Sequence, residues 1–217
     1  KVADGVRCDM AMLGLNDVFQ KDWGEHIMET RPFTEFWEEV IPEVKRIAPD
    51  FIFIAEVYWN MDGPLQQLGF DFTYDKRLYD RMFFDSAISV SEHLNAEPAY
   101  RDKCLRFIEN HDEERATVTF GKQKSRAAGI IAATVPGLRL FQDGQLEGRR
   151  IRTPIHLRRE PKEPVDPEVA DIYRRLLKYI KGPTTHDGEW TLLETRPAWE
   201  RNETHRAFLV CLWGRAQ

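Results

Sequence analysis

Residues 34–56 read TEFWEEVIPEVKRIAPDFIFIAE, and the change of period inside this stretch decides the fold class. Phe36, Trp37, Val40, Ile41, Val44 and Ile47 recur at three- and four-residue spacing. That spacing predicts an amphipathic helix over 34–48, with Thr34 as its N-cap. Pro49 stops it. Phe51-Ile52-Phe53-Ile54-Ala55 then follows, apolar on both faces, as expected of a strand in a parallel sheet covered on each side. A helix followed at once by such a strand is half of the repeating unit of an α/β protein.

The same alternation continues in both directions. An apolar run over 2–8 predicts a strand, and 11–19 a helix. Downstream, predicted strands at 70–74, 104–108 and 138–141 alternate with helices at 76–84, at 88–94 and from Ser125, as cap, to Ala133. Residues 151–165 are rich in Pro and Arg and read as a long loop. Asp166 as N-cap, Pro167 at the first helical position and Gly182 past the end bracket a further helix. After Gly182-Pro183 the texture changes, and 190–195 and 207–213 read as two strands of a separate β element. The expected organisation is therefore an α/β part over 1–183 and the start of an all-β part over 184–217. About five strands precede the junction, too few for a closed eight-stranded barrel.

The chain has 217 residues, 42% of them hydrophobic and 31% charged, which suits a folded domain with a sizeable core rather than a disordered chain. With 31 basic against 36 acidic residues the net charge is −5, and no long basic run interrupts it. Nucleic acid is not expected as a partner. No apolar run approaches the length of a membrane span, so no membrane partner is expected. Three widely spaced cysteines, Cys8, Cys104 and Cys211, rule out a disulfide framework and offer no metal-ligand spacing.

The chemistry lies in the acids. Three apolar runs each end in a carboxylate: Asp9, Glu56 and Asp112. In an α/β barrel all strands direct their C-terminal ends to one face, where the active site sits, so acids at three strand ends converge. The bland alternative, that each merely caps the next helix or turn, holds for any one of them more easily than for all three. Arg7 lies two residues before Asp9, so on a strand both side chains share a face. Tyr58 and Trp59 follow Glu56 at the strand mouth, placed either to stack on a ligand's rings or simply to pack there.

The neighbours of these acids carry a resemblance. Asp4-Gly5-Val6-Arg7-Cys8-Asp9 resembles the fourth-strand motif of the α-amylase family, glycoside hydrolase family 13. Ile54-Ala55-Glu56-Val57-Tyr58-Trp59 resembles its fifth-strand motif. Phe107-Ile108-Glu109-Asn110-His111-Asp112-Glu113-Glu114-Arg115 resembles the seventh, and residues 137–144 are similar to the eighth strand. The resemblance implies a partial (β/α)8 TIM barrel, from about strand 4 to helix 8, followed by the beginning of an all-β domain. It implies a retaining α-glycosidase acting on α-linked glucans, starch or maltooligosaccharides, through a covalent glycosyl-enzyme. Asp9 would be the nucleophile, Glu56 the general acid and base, and Asp112 the third acid. Arg7 and His111 would orient Asp9 and hold the sugar.

The chain departs from the family in several places. Where the family often has Lys-His after the nucleophile, contributing to substrate and calcium binding, Met12 and Leu13 stand, so no metal or other cofactor is expected. Arg139 and Gln145 replace a frequent proline and a frequent acid. The strands before the Asp9 motif are absent, so the chain is expected to be a fragment, and activity is expected of a longer enzyme rather than of this stretch alone. A half barrel leaves an apolar edge strand open, which predicts self-association through that edge. The alternatives are an α-glucan transglycosylase using the same acids, or a non-catalytic sugar- or partner-binding fragment. A phosphate-binding barrel ranks last, since no Gly-rich loop follows a strand.

Overall fold

The computed structural model describes residues 3–26 and 33–214. In chain order these residues form strand β1 (Gly5–Cys8), helices α1 (Asn16–Trp23) and α2 (Phe36–Ile47), strand β2 (Ile52–Ala55), helix α3 (Asp62–Gln67) and strand β3 (Phe72–Tyr74). Helices α4 (Lys76–Phe84), α5 (Ala87–Leu94) and α6 (Pro98–Arg101) lead to strand β4 (Cys104–Arg106). Helices α7 (Ala116–Thr119) and α8 (Gly121–Thr134), strand β5 (Leu138–Arg139), and helices α9 (Pro167–Ile180) and α10 (Thr184–Asp187) precede strands β6 (Glu189–Leu193) and β7 (Val210–Gly214). The chain parts into two compact units, Lys1–Lys76 with Glu97–Leu105, and Arg77–Ala96 with Arg106–Gln217.

The first unit carries β1, β2, β3 and the start of β4 as parallel neighbours. Gly5 pairs with Ile52, Arg7 with Ile54 and Cys8 with Ala55. Paired residues point to the same side of a sheet, so Gly5 and Arg7 share a face with Ile52 and Ile54. The opposite face of β2, Phe53 and Ala55, is buried. Trp37 of α2 packs edge-on against Phe70 at 4.9 Å, and Phe53 meets Phe70 at 6.2 Å. Trp37 Nε1 donates to Ala11 O at 2.8 Å, which gives the half-buried indole its hydrogen bond. β2 was expected to be covered on both faces; Ile52 is instead 39% exposed, and its partner on β1 is Gly5, which has no side chain to lay against it.

In the second unit β4 ends at Arg106, whose carbonyl accepts the Leu140 N–H at 2.9 Å, and β5 completes the order β1-β2-β3-β4-β5. α8 and α9 enclose a core of Ala133, Val169, Tyr173, Leu176 and Ile180, flanked by Phe141 and Leu146. The four α9 members recur at four-, three- and four-residue intervals, the stripe an amphipathic helix buries. β6 and β7 form a separate antiparallel pair, Trp190 opposite Trp213 and Leu192 opposite Cys211.

Several local expectations need correction. The predicted helix at 11–19 breaks at Leu15 (ψ 135°), with a 3-10 turn Ala11–Gly14 before it and α1 after it. Thr34 does not cap α2: Glu35 occupies the N-cap without a side-chain capping bond, and the Thr34 hydroxyl bonds the Glu39 carboxylate instead. Ser125 lies inside α8, its hydroxyl donating to Lys122 O at 2.9 Å, because Gly121 at φ 71° lets the chain turn directly from α7 into the helix. β1 covers Gly5–Cys8, and Val2, the expected start of that strand, lies outside the described residues. The cap of α9 is as read: Asp166 Oδ1 accepts from Glu168 N at 3.0 Å and Val169 N at 3.2 Å.

The α8–α9 contact generates a test of packing. A Cβ added to Gly129 would lie 2.7 Å from the Tyr173 hydroxyl and 3.4 Å from its Cζ. Tyr173 is buried and its hydroxyl accepts from Gln145 Nε2 at 2.8 Å, so it has little room to yield. Alanine ordinarily stabilises a helix interior by about 1 kcal/mol over glycine. Here Gly129→Ala is expected to destabilise by about 1–3 kcal/mol through overpacking. In a Tyr173→Phe background, which removes the nearest atom, the cost should shrink. Urea unfolding of the four proteins of this cycle measures it, and a stabilising Gly129→Ala in the wild-type background overturns the account.

Candidate active site

Glu56 follows β2 directly and is 3% exposed. A carboxylate so enclosed must be met by donors, or its desolvation dominates. Three groups meet it. Arg7 Nη2 lies 2.9 Å from Oε1, the Tyr58 hydroxyl donates to the same oxygen at 3.3 Å, and the Met10 N–H donates to Oε2 at 2.8 Å. The other arm of Arg7, Nη1, forms an ion pair and hydrogen bond with Asp9 Oδ1. One guanidinium thus holds both carboxylates of the first unit.

The elements explain how this arises. Strand pairing continues past β1 and β2: Glu56 N–H donates to Cys8 O at 3.0 Å, and Ala11 N–H to Glu56 O at 2.9 Å. Between these bonds Met10 adopts φ 44°, ψ 47°, a left-handed conformation that aims its N–H at Glu56. On β3, Tyr74 lies beneath Arg7, with the guanidinium carbon 5.6 Å from the ring centroid. Burial works to lower the Arg7 pKa, but the Tyr74 oxygen and the Asp9 and Glu56 carboxylates outweigh it, and the guanidinium ends above its ordinary value. Arg7 is a permanent cation here. Asp9 is open, its side chain 75% exposed, while Glu56 is enclosed.

Beyond Glu56 the strand mouth is strained. Trp59 and Asn60 stand at φ 58° and 59° in succession. Among the described residues four non-glycine positions have positive φ, and Met10, Trp59 and Asn60 are three of them. Each lies within four residues of Asp9 or Glu56. Such outliers persist where surrounding structure enforces them, and they cluster at functional sites. Trp59 is 57% exposed, an indole presented to solvent.

His111 and Asp112 stand in the second unit and contact each other, Nε2 to Oδ2 at 3.0 Å. The loop that bears them starts at Asn110, whose Oδ1 accepts the N–H groups of Asp112 and Glu113, both at 2.9 Å. The structure therefore brings Arg7, Asp9, Glu56 and Tyr58 together in one unit and His111 with Asp112 in the other. Sequence reasoning missed Met10 and Tyr74. Tyr74 ends a legible strand and was open to notice; Met10 acts through its backbone, which side-chain chemistry does not announce. Among the described residues no three His, Cys, Asp or Glu side chains cluster as a metal ion would require.

Comparison with known proteins finds alpha-amylases among those the chain is similar to. No family model matches the chain. Alpha-amylase 3 of Dictyoglomus thermophilum is 25% identical over 162 residues, 67% of this chain and 32% of that protein. The fold is shared with an alpha-amylase from H. orenii, TM-score 0.64 at 20% identity over 89% of this chain and 47% of that one. A maltogenic alpha-amylase from Thermotoga neapolitana matches with TM-score 0.63 at 21% identity, covering 97% of this chain and 46% of that one. A debranching enzyme from Nostoc punctiforme matches at 0.66 with 18% identity, 89% of this chain and 43% of that one. The chain spans about a third of the curated relative (32%) and just under half of these structures. The resemblance to the α-amylase family drawn from three motifs is thus borne out, and the five-stranded α/β layout is that of part of the barrel in these proteins.

The backbone at Trp59 supports a test. Alanine normally exceeds glycine in stability at a given site by about 0.5–1 kcal/mol. At a left-handed position the order inverts, since a Cβ there costs about 1–2 kcal/mol. Trp59→Gly should therefore be more stable than Trp59→Ala by about 1 kcal/mol in denaturant unfolding. Equal stability, or alanine ahead, means the backbone at this position is not strained in solution.

Proposed function

We propose that this sequence carries the catalytic residues of a retaining α-glycosidase acting on α-linked glucans such as starch or maltooligosaccharides. The observation that carries the reading is the single Arg7 guanidinium ion-paired with both Asp9 and Glu56. Two carboxyl groups held by one cation, one exposed and one enclosed, suit a double displacement at a glycosidic carbon. In the first step an Asp9 oxygen attacks the anomeric carbon while the Glu56 carboxylic acid gives its proton to the departing glycosidic oxygen. The bond to the leaving sugar breaks and an ester to Asp9 forms. In the second step the Glu56 carboxylate takes a proton from water, whose oxygen attacks the same carbon and breaks the ester.

The other assignments follow the resemblance to the α-amylase family. Asp112, bonded to His111, accepts hydrogen bonds from sugar hydroxyls, and His111 donates one. Arg7 keeps Asp9 aimed at the anomeric carbon. Tyr58 bonds Glu56 and leaves its ring for the substrate, and Trp59 offers an indole face to a sugar ring. The reading needs no cofactor, and the side chains of Met12 and Leu13, at the places where the family often has polar ligands, offer no oxygen or nitrogen to a calcium ion.

Chromatography of the products from maltoheptaose tests the reading. The chain should release shorter maltooligosaccharides, and Glu56→Gln should lose the reaction by at least about 10³-fold. Products longer than maltoheptaose would reassign the chain as a transglycosylase. Equal cleavage by both proteins would falsify the role of Glu56. No cleavage by the wild type counts against activity of this chain by itself.

We further propose self-association through the open side of β1. It is the terminal strand of its sheet among the described residues, and Val6 and the adjacent Ile52 are 40% and 39% exposed. Unpaired backbone groups beside apolar side chains favour pairing with another strand. Sedimentation equilibrium should show concentration-dependent dimers that Val6→Lys weakens. A monomer at all concentrations sinks the idea.

A further inference from the structure

The loop that carries His111 and Asp112 is closed at its base by a buried ion pair that glycoside chemistry does not itself require. Glu109 and Arg115 are 1% and 6% exposed. Arg115 Nη1 lies 2.8 Å from Glu109 Oε1, and the second oxygen of Glu109 accepts the Ala116 N–H at 2.6 Å. The two ends of the segment 109–116 are thereby drawn together, and the Asn110 side chain fixes its interior through the Asp112 and Glu113 N–H groups.

Arg115 also reaches out of the loop. Nη1 donates to Asp143 O at 2.6 Å and Nε to Ile151 O at 3.1 Å, both on the segment after β5. Nearby, the Thr117 hydroxyl donates to Arg149 O at 3.1 Å, and Arg152 lies 3.8 Å from Glu114. Arg115 thus spends its donors on a carboxylate of its own loop and two carbonyls of the segment after β5. A lysine, with one compact charge, does not reproduce that fork.

A buried ion pair is weak support for stability, because desolvation offsets much of its attraction and an apolar pair of similar volume often serves as well. Its value here is geometric. We infer that Glu109 and Arg115 are positioning residues that hold the loop bearing Asp112 in a single conformation. The inference rests on the reading of Asp112 as the third carboxylate of the site.

The test uses the whole 217-residue chain, with two variants: Glu109→Leu combined with Arg115→Met, and Glu109→Gln alone. NMR hydrogen exchange is read at the Asp112 and Glu113 amides, with the amides of α8 as internal reference, alongside kcat and KM on maltoheptaose. In the double variant α8 should keep its protection while the Asp112 and Glu113 amides exchange at least about ten times faster. With substrate, kcat should fall about a hundredfold at a KM little changed. Glu109→Gln, which keeps the shape and removes the charge, should show the same pattern to a smaller degree. Unchanged exchange at the two loop amides overturns the inference. So does loss of α8 protection in both variants, since the pair then holds the fold and not the loop. A wild type without activity on maltoheptaose counts against the glycosidase reading, and the exchange result still decides the positioning role.

Discussion

A guanidinium shared by two carboxylates is the interaction on which the rest of the site depends. Glu56 is enclosed at the end of an apolar strand, where an unmet charge costs several kcal/mol. Arg7 answers that charge only because β1 and β2 run parallel in a register that pairs residue 7 with residue 54. A slip of one residue would send Arg7 to the other face, among Phe53 and Ala55. The register is in turn held by the close approach at Gly5, where a Cβ would sit 2.5 Å from Ile52 O. Strand pairing, glycine and ion pair are one constraint seen at three scales.

The local cost of this arrangement is visible in the backbone. Met10 leaves the favoured regions of φ and ψ so that its N–H can reach Glu56, and Trp59 and Asn60 do so as the chain turns away from the strand. None of these residues is a glycine, though a glycine would relieve each position. Keeping Trp59 in a strained conformation makes sense if the indole face is needed where the strain puts it. A purely structural turn would gain by losing the side chain. The strain therefore argues for a binding role more directly than exposure does, because exposed aromatics occur without function.

Much of this was legible in the sequence, and the failures have physical causes. α9 could be read end to end because cap, N1 proline and apolar stripe agree, and local consistency of that kind is what specifies an element. β2 was legible from its apolar run, and the carboxylates from their place after such runs. Thr34 and Ser125 misled because a hydroxyl before or within a helical pattern suits either a cap or a bond elsewhere. Thr34 turns to Glu39, and Ser125 back to Lys122 within α8. The break at Leu15 carries no glycine or proline to announce it. Met10 could not be found from side-chain chemistry, since what it contributes is a peptide N–H made available by an unusual dihedral angle.

Each unit has its own arginine ion pair, and the two differ in a way that fits different tasks. Arg7 is partly open, and one of its partners, Asp9, faces solvent with a side chain 75% exposed. A cation that also touches an exposed carboxylate can follow changes of charge there as a reaction proceeds, because its contacts are not all spent on the fold. Arg115 and Glu109 are both enclosed, and their remaining contacts are backbone groups. Charge that must respond is left near water, and charge that must only hold a shape is buried, where low dielectric strengthens each hydrogen bond and makes departure from the bonded geometry costly. If the two pairs exchanged environments neither would serve: an exposed Arg115 would be screened into mobility, and a fully buried Arg7 would close Asp9 to any sugar.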